Sequence, residues 1–188
     1  MNTTISNKTL QASIKHAGAE LFSLISNKGQ EYMWSGNQDY WPKHSPVLFP
    51  IVGSLKNETY TFSQKDYHLP RHGFARDMEF QLIEKTESSA VFSLTYNEET
   101  LLKYPFKFEL QIAYSLNENK LNIAYKVINK EEKHLPFSIG AHPAFVLPGE
   151  FSNYSIQFEK EEKLEYSLLE NGLISNVTET LTTSENVV

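Results

Sequence analysis

The 188-residue chain contains no cysteine and only two arginines. The lack of cysteine excludes disulfides and thiolate chemistry and favours a reducing compartment, so we expect a cytoplasmic protein. The formal net charge of −6 leaves no basic face for nucleic acid. The N-terminal residues carry no signal-peptide pattern, and no apolar run has the length of a membrane span. The length fits one domain, residues 1–188, with neither nucleic acid nor a membrane as partner.

Three familiar kinds of site are also missing from the sequence. There is no Gly-x-Ser-x-Gly elbow for a serine nucleophile and no glycine-rich phosphate loop. His68 and His72 lie four residues apart, which places two imidazoles on one face only in a helix, and Pro70 between them disfavours a helix. We therefore predict no metal ligands.

Apolar residues recur with a period of two, which predicts half-buried strands. The segments 106–114 and 121–127 alternate in this way around the turn "NENK", and they predict a hairpin. The same pattern occurs at 60–62 with 67–69, at 80–82 with 90–96, and at 10–14. Many short strands with regular turns predict an all-β fold, an antiparallel sandwich or barrel.

Other stretches break this rhythm. The segment "NEETLLKY" at 97–104 predicts one or two helical turns, while 41–54 and 134–149 each contain three prolines and predict ordered, irregular loops. The ending "SNVTETLTTSENVV" is polar and shows no closing hydrophobic strand. We expect this tail to be disordered, or the chain to stop before its fold is complete.

The residues best suited to acid–base chemistry lie in two segments, "HLPRHGFAR" at 68–76 and the irregular loop at 134–149. Histidine as a residue type can donate and accept a proton near neutral pH. His72 and His142 each lie in a segment that contains glycine and proline. Arg71 and Arg76 offer planar, multi-donor groups for sugar hydroxyls or a phosphate, and Phe145 could stack on a sugar ring. From residue type alone, a structural histidine or a surface ion pair is the commoner role for these types. Further aromatic candidates for stacking are Trp34, Trp41 and Phe74.

The ordered motifs resemble a known family. "GAELFSLISNKGQEYMW", "SPVLFPIVGSL", "LPRHGFARDMEF", "YPFKFELQIAYSL", "LNIAYKVINK" and "LPFSIGAHPAFVLPG" follow each other as in the aldose 1-epimerases, or galactose mutarotases, and in particular their LacX-type branch. "HGFAR" and "GAHPAF" at this separation are fairly specific, whereas the strands are generic. The resemblance extends over nearly the whole chain.

This resemblance implies a large antiparallel β-sandwich with an open sugar cleft and no cofactor. The histidine matching His142 is similar to the general acid that protonates the ring oxygen, and the one matching His72 resembles its partner there. Arg71, Arg76 and Phe145 would bind the sugar, galactose or glucose. Arg76 also resembles a residue near phosphate in related glucose-6-phosphate epimerases, so a phosphosugar is an alternative. A non-catalytic sugar-binding or sensing module is another.

Two departures from the family pattern affect the expected activity. Many relatives have an arginine near the position of Ser54 that binds sugar hydroxyls. In this chain Arg71 or Arg76 would take over that role. The catalytic base of the family is a glutamate in a Glu-Pro-Trp-like segment of its C-terminal third, and no glutamate between Glu150 and Glu179 matches it. We therefore expect the N-terminal two-thirds of a longer protein, an inactive 188-residue piece, and an unpaired sheet edge that promotes association, for example as a homodimer.

Overall fold

The structure is a computed structural model that describes residues 1–160 and 163–182. The chain divides into two compact units, Met1–Val146 and Leu147–Val188. No helix in the part described is long and apolar enough to cross a membrane. In chain order the elements are β1 (Asn2–Ser6), β2 (Leu10–Lys15), β3 (Leu21–Ser26), β4 (Val47–Leu48), β5 (Thr59–Phe62), β6 (Lys65–His68), β7 (Gln81–Lys85), β8 (Ser89–Thr95), α1 (Glu98–Lys103), β9 (Phe108–Asn117), β10 (Lys120–Asn129), β11 (Gly140–Ala141), β12 (Lys163–Glu170) and β13 (Leu173–Thr182).

Two antiparallel sheets enclose the core of the first unit. One has the strand order β1-β2-β3 and the other the order β10-β9-β8-β7. Alternate residues of β9 point inward, so Phe108, Leu110 and Ile112 are buried, whereas Glu109 and Gln111 lie on the opposite face. The inner faces of both sheets contribute to one apolar cluster. The predicted all-β sandwich is confirmed.

The predicted hairpins are present, with one difference at the edge of the larger sheet. β9 and β10 pair in the expected register around a two-residue turn at Glu118 and Asn119. The apolar residues of β10 are less buried than those of β9, since Ile123 and Tyr125 remain 37% and 38% exposed. They are more exposed because β10 is the edge strand of the sheet, and because their side chains line a cavity of about 280 Å³ and not close-packed core.

The short helix predicted at 97–104 is α1. Its N-cap, Asn97, accepts a hydrogen bond from the Thr100 backbone N–H, and the Thr100 hydroxyl accepts one from the Asn97 N–H, which forms a capping box. The two proline-rich loops are largely irregular, as predicted. They meet through the two-residue strands β4 and β11, which pair with each other.

The second unit contains a hairpin that the sequence analysis missed. The expected disorder of the polar tail is wrong for residues up to Thr182, because β13 pairs with β12. Asn171 and Gly172 both have positive φ, as the tight turn between these strands requires. The Asn-Gly pair was the available signal, and cross-strand pairing does not need an apolar strand. Residues 183–188 of the expected tail lie outside the described residues, and a single domain over 1–188 stays a prediction.

Candidate functional site

β4 brings the two histidine loops together, although they are far apart in the sequence. On one side, Leu48 pairs with Gly140, and His142 directly follows β11, where its backbone N–H donates to the Pro46 carbonyl at 3.2 Å. On the other side, Phe49 forms a bridge with Gly73, the residue after His72. The proline-rich segment therefore acts as a common support for both histidines.

The His72 loop approaches the backbone of Phe49 so closely that only glycine fits at position 73. Gly73 has φ +70°, and a Cβ there would lie 2.2 Å from the Phe49 carbonyl oxygen. The Phe49 N–H donates to the His72 carbonyl at 3.2 Å, and the Phe74 N–H donates to the Phe49 carbonyl at 3.1 Å. These contacts fix the His72 backbone, which itself has φ +71°.

The half-buried ring of His72 is held between two donors. The Gly53 N–H donates to Nδ1 at 3.0 Å, and Arg71 Nε lies 3.2 Å from Nε2. Burial, with the positive charges of Arg76 and Arg71 and the neighbouring His142, lowers the pKa of His72 below its usual value. These effects favour the neutral form of the ring.

His142 is exposed and packs against an aromatic ring. The ring centroids of its imidazole and of the Trp41 indole are 4.9 Å apart, with 44° between the ring planes. The backbone of Trp41 is anchored in turn, because Trp34 Nε1 donates to the Trp41 carbonyl at 2.9 Å. The segment after His142 is tied down as well, because the Ala144 N–H donates to the His44 carbonyl at 2.8 Å.

The two arginines differ in how firmly they are held. Arg76 Nη2 donates to the Arg71 carbonyl at 2.9 Å, which closes the loop that contains His72. Its Nε lies 3.4 Å from Oδ2 of Asp77, and Lys43 Nζ donates to the other carboxylate oxygen, Oδ1, at 2.7 Å. Arg76 Nε is nevertheless buried without a hydrogen-bond acceptor. The side chain of Arg71 is exposed, and its guanidinium has more freedom to move.

These side chains line one open cleft of about 300 Å³. Its walls include both histidines, His72 and His142, with Arg71, Arg76 and Trp41, and none of its lining residues is Asp or Glu. Such a volume lies at the lower end of the range for small-molecule sites. A larger cavity of about 900 Å³ elsewhere in this unit has no histidine or arginine in its lining, so we assign it no chemistry.

The structure does not bring Phe145 to this cleft. Phe145 pairs with Met33 and lines the two cavities near β10, and its side chain is 57% exposed. Of the other aromatic candidates, Phe74 is buried in the core, and only Trp41 lines the cleft. A sugar-binding role for Phe145 therefore has no support from this geometry.

Gly53 and Asp77 also contact the candidate site residues, and the sequence analysis did not single them out. Gly53 has φ +85°, so glycine after the apolar run "LFPIV" was a usable sign of a special backbone position. Asp77 follows Arg76 directly, but its link to Lys43 joins distant segments and has no sequence signal. Within residues 1–160 and 163–182, no three His, Asp or Glu side chains form a cluster suited to a metal ion.

Comparison with known proteins decides the family. The family model for aldose 1-epimerase matches residues 1–187. The chain belongs to the aldose 1-epimerase family. The chromosomal protein LacX of Lactococcus lactis subsp. lactis is 38% identical over 186 residues, and this match covers 93% of the chain but 62% of LacX. The plasmid form of LacX matches equally well, and this chain thus spans less than two thirds of the length of both relatives.

Solved members of similar architecture match the described fold. A galactose mutarotase related enzyme from Lactobacillus acidophilus is 36% identical with a TM-score of 0.93, over 100% of this chain and 64% of its own. A galactose mutarotase-like protein from Lactobacillus casei is 32% identical with a TM-score of 0.92, over 100% of this chain and 67% of its own. The predicted family, its LacX-like branch and the mutarotase-like β-sandwich are confirmed.

Proposed function

We propose that the chain supplies the histidine half of a hexose mutarotase site, in which His142 and His72 both act on the sugar in the cleft. The single observation that carries this proposal is their convergence: two histidines from distant loops line the same open cleft with both arginines of the chain. Membership of the aldose 1-epimerase family supports the reaction class.

The reaction interconverts the α and β anomers by opening the sugar ring. A base removes the proton of the anomeric hydroxyl, the C1–O5 bond breaks as C1 becomes an aldehyde carbonyl, and O5 takes up a proton. Rotation about C1–C2 followed by the reverse steps gives either anomer, so no atom or electron is gained or lost. His142 would donate the proton to O5, and the neutral ring of His72 would hydrogen-bond to O5 or a neighbouring hydroxyl.

The reaction also needs a carboxylate, and none lines the cleft of the described chain. The resemblance places that base in the C-terminal third of the family, and this chain covers 62% of LacX. We propose that the base is supplied by a segment beyond these residues. In that case the 188-residue chain binds hexoses but accelerates their mutarotation little or not at all.

Polarimetry tests the proposal. The optical rotation of freshly dissolved α-D-galactose and α-D-glucose is followed with the 188-residue chain and with a fusion in which the C-terminal third of LacX follows Val188. Acceleration is expected with the fusion only. In the fusion, His142→Gln should slow the reaction by about 10²- to 10⁴-fold, as for loss of a general acid. His134→Gln, an exposed histidine outside the cleft, serves as the matched control.

Three outcomes would contradict parts of this account. Acceleration by the 188-residue chain itself would show that it contains its own base. A folded fusion that binds galactose without accelerating mutarotation would favour a sugar-binding or sensing module. Unchanged rates in His142→Gln would remove His142 from the reaction.

A phosphosugar substrate is the second candidate, and the charge of the cleft favours it. Arg71 and Arg76 both line the cleft, no carboxylate does, and Arg76 Nε is buried without an acceptor. A phosphate oxygen would satisfy these donors better than a hydroxyl. Calorimetric titration with galactose and with galactose 6-phosphate at two salt concentrations separates the candidates, because only the phosphate-dependent part of binding should weaken with added salt.

The remaining proposals concern the setting of the protein. The cysteine-free sequence supports a cytoplasmic location. The exposed edge of β10 supports a homodimer formed by edge pairing. Sedimentation velocity over a range of concentrations tests the dimer, and a monomer at every concentration would exclude it.

A further inference from the structure

The imidazole of His72 faces two hydrogen-bond donors but can accept from only one of them. The Gly53 N–H lies 3.0 Å from Nδ1, and Arg71 Nε lies 3.2 Å from Nε2. A backbone N–H and an arginine N–H can only donate, and a neutral imidazole has one unprotonated nitrogen. The nitrogen that carries the ring hydrogen cannot accept, so only one of these two contacts is a hydrogen bond in the neutral ring.

The contact with Gly53 is the one that persists. The same two residues are joined a second time, because the His72 N–H donates to the Gly53 carbonyl at 2.8 Å. The Gly53 N–H is partly buried and belongs to the main chain, so it cannot turn toward water without moving the loop. Arg71 is exposed and its guanidinium can rotate into solvent or toward a ligand.

We propose that Gly53 is a positioning residue that fixes the hydrogen of His72 on Nε2. His72 then acts on the ligand as a hydrogen-bond donor and not as a proton acceptor, and Arg71, which cannot donate to a protonated Nε2, turns toward the ligand. This inference rests on the proposed function for the identity of the ligand, a hexose. It leaves His142 as the histidine that exchanges a proton with the sugar.

The surroundings of the ring agree with a neutral donor. The charged and titratable groups that act on it are Arg76 and Arg71 from its own loop and His142 from the opposite loop, and none is an anion. Burial and, after it, these groups lower the pKa of His72. Protonation of Nδ1 would also break the contact with Gly53, so both effects favour the neutral ring.

Nitrogen-15 NMR of the histidine side chains tests the assignment without any ligand or activity. In the 188-residue chain at pH 7, the His72 ring, identified by the signal missing from His72→Gln, should show an unprotonated Nδ1 and a protonated Nε2. A proton on Nδ1, or equal averaging of both tautomers, would overturn the proposal. His68, whose Nδ1 lies 3.0 Å from the Thr59 hydroxyl, provides an internal comparison outside the cleft.

Two variants separate the hydrogen bond that His72 Nε2 donates to the ligand from the one that Nδ1 accepts from the Gly53 N–H. Glutamine places an amide near the position of Nε2 and can still donate to the ligand, whereas asparagine reaches only the position of Nδ1. We expect His72→Gln to bind galactose nearly as well as the wild type, and His72→Asn to bind about 3- to 10-fold more weakly, the effect of one hydrogen bond. Equal losses in both variants would contradict the donor role. If the wild type bound no hexose while the tautomer is as stated, the proposed function would fail and the positioning by Gly53 would stand.

Discussion

The imidazole of His142 packs on the indole of Trp41, with 4.9 Å between the ring centroids. His142 is exposed and follows a strand of only two residues, so its backbone alone constrains the ring little. Trp41 is anchored from behind by the Trp34 Nε1–H, which donates to its carbonyl. Trp41 therefore limits the orientation of the histidine that we place at the ring oxygen.

Replacement of Trp41 should weaken sugar binding according to the aromatic surface removed. We expect Trp41→Ala to lower galactose affinity by about 3- to 10-fold, since an aromatic contact contributes roughly 0.5–1.5 kcal/mol beyond its buried area. Trp41→Phe retains a ring and should lose less. Isothermal titration calorimetry measures both, with Tyr32→Ala, an exposed aromatic residue that does not line the cleft, as the control. Wild-type affinity in Trp41→Ala would mean that the indole does not position His142.

Two glycines with similar backbone angles should respond differently to alanine. Gly73 (φ +70°) and Gly29 (φ +82°) both require the left-handed region, which costs an alanine about 1–2 kcal/mol. A Cβ at Gly73 would also lie 2.2 Å from the Phe49 carbonyl oxygen, whereas one at Gly29 would meet nothing within 4 Å. Urea unfolding should give a loss of about 3 kcal/mol or more for Gly73→Ala and a clearly smaller loss for Gly29→Ala. Equal losses would show that the close approach to Phe49 is unimportant.

The strands of the larger sheet, β2 and the β5–β6 hairpin were predictable because one local rule, the alternation of apolar residues, fixes them. The β12–β13 hairpin was not, because its pairing does not depend on an apolar face. Phe108, Leu110 and Ile112 fall on the buried face as their spacing requires. The candidate site was only partly predictable, since the convergence of His72 and His142 depends on their shared support by β4, two residues of a proline-rich loop. No local pattern separates Phe145, which lies away from the cleft, from Trp41, which lines it.

The two arginines should separate into a binding role and a structural one. Arg71 is exposed, so Arg71→Ala should change the free energy of unfolding by no more than about 0.5 kcal/mol. Arg76 closes the loop through the Arg71 carbonyl, and Arg76→Ala should cost about 1–2 kcal/mol. Both variants should bind ligand more weakly. Urea unfolding and calorimetry together check the difference, and a larger stability loss in Arg71→Ala would contradict it.

The charged side chain of Glu109 should stabilise the first unit, and this stabilisation should be lost in acid. Hydrogen bonds from Lys130, Gln111 and Ser93 lower the pKa of Glu109 from 4.5 to about 2. Because the folded state binds this proton less readily than the unfolded state, the stabilisation is complete above pH 4.5 and is lost as the pH falls toward 2. Glu109→Gln should be less stable than the wild type by about 1 kcal/mol at pH 7, and the difference should shrink below pH 4.

The exposed carboxylate of Glu84 on β7 provides the control for this prediction. Glu84→Gln should leave stability within about 0.5 kcal/mol of the wild type at pH 7. Urea unfolding from pH 7 to pH 3 gives the comparison. A difference for Glu109→Gln that does not vary with pH would rule out the proposed titration.

A titration of the 188-residue chain with galactose, followed through the ring signals of its six histidines, tests most directly whether His72 and His142 face one sugar. The account predicts that these two signals shift together with a single dissociation constant, while the buried His16 and His44 do not respond. Saturating galactose that shifts neither signal, or only one of them, would contradict it.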